Sequence, residues 1–106
     1  MLNDPVYVEA AGTLAKRVLR EKPAASVEEK IRYAFLLCTA REPDRSEMEV
    51  LLRLFQQQLR SGQSTAAAAA KLLQDLRPEK VDAAEFAAWY SVASAILNLD
   101  ETLTKG

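Results

Sequence analysis

Residues 44–62 read Asp-Arg-Ser-Glu-Met-Glu-Val-Leu-Leu-Arg-Leu-Phe-Gln-Gln-Gln-Leu-Arg-Ser-Gly, and this stretch decides the fold class. Met48, Leu51, Leu52, Phe55 and Leu59 recur at intervals of three and four, the spacing that puts side chains on one face of a helix. Glu49, Arg53, Gln56 and Gln57 fall on the opposite side. Asp44 is a good N-cap, because its carboxylate can accept from the open amides of the first turn. Glu47, three residues on, can reach back to the cap's own amide and complete a capping box. Gly62 stands where helices commonly end on a left-handed residue. The stretch therefore predicts an amphipathic helix over 45–61, with an apolar stripe that other elements must cover.

The same signals recur on either side. The prolines, Pro5, Pro23, Pro43 and Pro78, fall at the edges of apolar patterns, where proline is tolerated. Asp4 and Pro5 open a helix over 5–21, with Val8, Ala11, Ala15, Val18 and Leu19 on one face and Leu14 beside it. Lys16, Arg17 and Arg20 lie late in that helix, where cations complement the negative end of the dipole. Gly12 weakens its middle by about 1 kcal/mol against alanine, and marks a place where another helix can come close. Ser26 with Glu29 is a second capping box and opens a helix over 27–39. Its inner face is Ile31, Ala34, Phe35 and Cys38, widened by Leu37.

Downstream, Ser64 precedes a short helix over 65–76. It contains the alanines 66–70, which favour helix but bury little area, so this helix is expected to be the least stable. Asp82 with Glu85 opens a last helix over 83–98, with Phe86, Trp89, Ala93, Ile96 and Leu97 on one face and Trp89 as the anchor. Asn98 is expected as its C-cap, with a tail holding Leu99 and Leu103 that crosses back over the bundle. Nothing alternates with period two, and no Asn-Gly or Asp-Gly turn occurs. The fold is expected to be all-α, a compact bundle of about five helices with short loops. One domain is expected over residues 1–106, with a core including Leu14, Val18, Ile31, Phe35, Leu51, Phe55, Phe86, Trp89, Ala93 and Ile96.

Composition narrows the function. The chain has 106 residues, 49% of them apolar and 27% charged, and a net charge of -1. No broad basic field exists for nucleic acid or an anionic membrane, so neither partner is expected. Histidine is absent and Cys38 is the one cysteine, which excludes a Cys/His zinc site, an internal disulfide and histidine-based triads. Cys38 reads as a buried thiol behaving as a small hydrophobe. No apolar run approaches the roughly 18–20 residues of a membrane span, so no insertion is expected. Met1 to Asp4 lack the positive and then apolar character of a signal peptide, and this by itself sets no compartment.

Few residues invite chemistry. Asp100 and Glu101 could act as an acid–base or cation-binding pair, but adjacent helical residues point about 100° apart. Together with Asn98 they read better as capping and tail-docking groups. Arg41, in the turn Arg41-Glu42-Pro43, could bond the last carbonyls of the second helix, pair with Glu47, or bind a partner's carboxylate. Lys16, Arg17, Arg20, Lys30 and Arg32 are interleaved with acids and read as solvated faces. Ser46, Ser91 and Ser94 have no base, and no glycine-rich phosphate loop is present. No catalytic, metal or cofactor-binding residue is assigned, and no cofactor is expected.

Several segments, in order, carry a resemblance. They are Leu2-Asn3-Asp4-Pro5-Val6-Tyr7-Val8-Glu9-Ala10-Ala11, Ile31-Arg32-Tyr33-Ala34-Phe35, Arg41-Glu42-Pro43 with Glu47, and Ala88-Trp89 leading to Leu97-Asn98-Leu99-Asp100-Glu101. This set resembles the C-terminal part of the planctomycete PSD family, a domain of unknown function. The resemblance implies the C-terminal piece of a large exported protein, with cytochrome-c-like domains often upstream and an envelope or extracellular setting. Any haem would belong to those upstream parts. Two positions depart from the family pattern: Gly12, where a larger polar residue such as Arg is expected, and Ala40, where glycine is usual before the arginine. The second bears on how the second helix ends.

The expected function is a helical structural or interaction module with no chemistry of its own, partnered by upstream domains of its parent or by another protein. The alternative is an accessory part of a composite enzyme or redox site completed by upstream residues. If the first or last helix packs against upstream sequence in the parent, the excised chain would expose an apolar patch and dimerise weakly.

Overall fold

The structure is a computed structural model that describes residues 5–61 and 67–105, with the side chains of residues 5, 67–70, 72 and 100–105 outside that description. Five helices follow one another: α1 (Pro5–Glu21), α2 (Val27–Thr39), α3 (Arg45–Ser61), α4 (Ala67–Leu76) and α5 (Ala83–Lys105). No strand occurs among the described residues, so the protein is all-α. The expected caps at Asp4 and Gly62 and the start at Ser64 lie outside the described residues.

Local hydrogen bonding explains where α2 and α3 begin. The Glu29 amide donates to Ser26 Oγ at 3.2 Å, and the Ser26 amide donates back to Glu29 Oε1 at 3.3 Å. At α3 the Glu47 amide donates to Asp44 Oδ1 at 2.8 Å and the Asp44 amide to Glu47 Oε1 at 2.9 Å. Each pair satisfies two amides that the helix itself leaves open.

Helix α2 ends on Ala40, which lies at φ 60 and ψ 22 and sends its amide to the Leu36 carbonyl at 2.9 Å. This is the left-handed cap that glycine occupies at no steric cost and alanine only under strain. Ala40→Gly is therefore expected to raise stability by roughly 0.5–1 kcal/mol, the relief of strain exceeding the added entropy of the unfolded chain. Urea unfolding followed by circular dichroism measures it, and a lower midpoint in the variant would contradict a left-handed residue at this position.

Helix α5 lies at the centre and packs against each of the other four. Helix α1 also meets α2 and α4, and α3 meets α2. The burial of α5 differs from the expectation of one apolar face. Ala88, Trp89 and Tyr90 are buried in succession, as are Val92, Ala93 and Ser94, with Phe86 and Ile96 at either end. Three successive residues cover about 200° of a helix, so more than half of the circumference of α5 is buried, and the line through Ala87, Ser91 and Ala95 on its remaining side is half-buried. A helix that is apolar on all sides belongs inside, and between Ala84 and Leu99 this one carries a single charge, Glu85.

The end of α5 is also a correction. Asn98 does not cap the helix, and no tail crosses back: α5 continues to Lys105. Neither Gly nor Pro occurs between Asn98 and Lys105 to stop it, and Leu99 stays packed against the core as the helix goes on. A capping preference at asparagine is too weak to end a helix whose next turn still buries apolar surface.

The core contains nine of the ten expected residues, and Leu14 is half-buried against it. Cys38 is also half-buried rather than enclosed. Leu59 is 41% exposed, since the buried stripe of α3 stops one turn earlier at Phe55. Gly12 does bring a helix close. A Cβ there would lie 2.7 Å from Leu76 Cδ1 and 3.4 Å from Leu73 Cδ2, so α4 seats Leu73 and Leu76 on the gap in α1. A long side chain at this position would have to displace Leu76.

Candidate functional site

The turn between α2 and α3 holds the candidate that sequence singled out. The Thr39 hydroxyl donates to the Phe35 carbonyl at 2.8 Å and accepts the Arg41 amide at 3.3 Å, which fixes the chain as it leaves α2. Arg41 then turns toward the start of α3. Its Nη1 donates to Glu47 Oε1 at 2.9 Å and its Nη2 to Glu47 Oε2 at 2.8 Å, a two-pronged pair of the kind guanidinium geometry favours. Nη1 also donates to the Glu42 carbonyl at 3.1 Å. The guanidinium carbon lies 4.9 Å from the centre of the Phe35 ring, so the clasp rests on the core.

Glu47 thus accepts from Arg41 and from the Asp44 amide while its own amide is capped by Asp44. The Arg41 bonds, then the Asp44 amide, hold its carboxyl well below the ordinary 4.5, at about 2. Arg41 is raised in turn, first by its bonds to Glu47. A carboxyl depressed in the folded state contributes stability that is present above its unfolded value and lost as pH falls through its folded value. Acidification from 4.5 to about 2 is therefore expected to lower the melting temperature of the wild type more than that of Glu47→Gln. The gap between the two should narrow across that window, and a gap independent of pH would mean that the clasp does not form in solution.

A second polar corner joins α1 to α2. Glu21 Oε2 accepts from Arg17 Nε at 3.0 Å and from Arg20 Nη2 at 3.5 Å, while Glu21 Oε1 accepts the Tyr33 hydroxyl. The Tyr33 bond is the main reason that the Glu21 carboxyl titrates low and the Tyr33 phenol high. Lys22 Nζ lies 5.0 Å above the Tyr33 ring. Beside this corner, Arg32 Nε pairs with Glu42 Oε1 at 3.3 Å. Lys22, Ala25, Glu29, Arg32, Tyr33, Leu36 and Glu42 line an open groove of about 210 Å³ along the outer face of α2.

The structure keeps the sequence candidates apart by element. Arg41 is engaged with Glu47 at the α2–α3 turn. Asn98 is an exposed residue inside α5. The backbone of α5 runs through Asp100 and Glu101, but their side chains lie outside the described residues. Among the described residues no group of three or more Cys, Asp or Glu is gathered to hold a metal ion, and no helix is long and apolar enough to cross a membrane.

Sequence reasoning did not find the Tyr33–Glu21 bond or the groove. The Arg17–Glu21 pair was legible as an i, i+4 spacing. Tyr33 lies twelve residues from Glu21, and no local rule links them.

No curated protein and no solved structure matches the chain. The family model PSD1, described as "Protein of unknown function (DUF1553)", matches residues 1–55. That is 55 of 106 residues and takes in α1, α2, both polar corners and α3 as far as Phe55. With just over half its length covered by that model, this chain belongs to the PSD1 family of proteins of unknown function.

Proposed function

We propose that this chain is a structural module of a larger exported protein, docking on upstream parts of the same polypeptide and performing no chemistry of its own. The observation that supports the structural role in this reading is the Arg41–Glu47 clasp. Arg41 is the side chain that the sequence best suits to take a partner's carboxylate, and both prongs of its fork are held by Glu47, 2.8 and 2.9 Å away. The polar groups of the α2–α3 turn thus build the corner between two helices. The corner between α1 and α2 follows the same plan around Glu21. Polar side chains that satisfy one another within a fold position its helices, and recognition of an outside ion would need a group left over. What supports an exported parent is the resemblance to the planctomycete PSD family.

Fractionation of source cells, followed by immunoblotting with antibody raised against this chain, tests the reading. The expected band lies far above 11.7 kDa and in the envelope or medium. A band at the chain's own mass in the cytosol would overturn both the larger parent and its export.

A further inference from the structure

We draw no further inference here: the strongest candidate, the open groove on the outer face of α2 lined by Lys22, Arg32, Tyr33, Leu36 and Glu42, already pairs Arg32 with Glu42, and nothing in the structure shows what covers it.

Discussion

Trp89→Ala is expected to lower the unfolding free energy by about 3–5 kcal/mol, the range for truncating a buried large aromatic side chain to alanine. Trp89 is 2% exposed on the central helix, and its ring centre lies 4.5 Å from that of Phe55 at a tilt of 43°. Removing it opens a cavity where α3 meets α5 and loses an aromatic pair worth about 0.5–1.5 kcal/mol beyond area alone. Small domains are stable by only about 5–15 kcal/mol, so the variant should be marginal.

Trp89→Phe separates packing from polarity. The indole Nε1 is buried and has no hydrogen-bond partner among the described residues. An unpartnered buried donor costs roughly 1–3 kcal/mol, and phenylalanine removes that donor while keeping an aromatic ring against Phe55. The expected loss is therefore below about 2 kcal/mol, well short of that for alanine. Urea midpoints from circular dichroism measure both variants. Alanine and phenylalanine variants of equal stability would refute the packing role, and an alanine variant near the wild type would refute a buried Trp89 altogether.

The second large effect is expected at Phe35→Ala, again about 3–5 kcal/mol. Phe35 is fully buried on α2, and the outer face of its ring supports the Arg41 guanidinium. One residue thus serves the core and the α2–α3 corner. Phe35→Leu retains most of the buried surface and removes the ring, with an expected loss of about 1–2 kcal/mol. In that variant the acid-dependent loss attributed to Glu47 should persist, because Arg41 and the Asp44 amide still bond its carboxylate. Disappearance of that dependence in Phe35→Leu would mean that the aromatic face, rather than Glu47, orients Arg41.

Departures from the sequence expectation share a cause. Ser26 with Glu29 and Asp44 with Glu47 were legible because each box closes within three residues, where the chain's own geometry sets the distance. The Arg41–Glu47 pair was open to suggestion for a similar reason, as a short turn brings its ends together. Leu59 shares the stripe of Leu51 and Phe55, yet its exposure depends on how far the neighbouring helices reach. Asn98 resembles a cap by residue type, while the fate of the next turn was decided by the core that Leu99 meets. The glycine usually found before the arginine is alanine here, and only the backbone dihedrals show that Ala40 still takes the left-handed turn.

The residues by themselves determined an all-α chain, the starts of α2, α3 and α5, and a core anchored by Trp89, Phe35 and Ile31. Those features rest on apolar periodicity and capping, which act within a few residues and are written in consecutive positions. The tertiary structure alone decided that α5 is the enclosed helix, that it continues past Asn98, that Leu76 of α4 seats on Gly12, and that Tyr33 closes on Glu21. Each of these depends on which surfaces meet across long stretches of chain. That is settled by the joint burial of apolar area among all five helices, and no segment carries it alone.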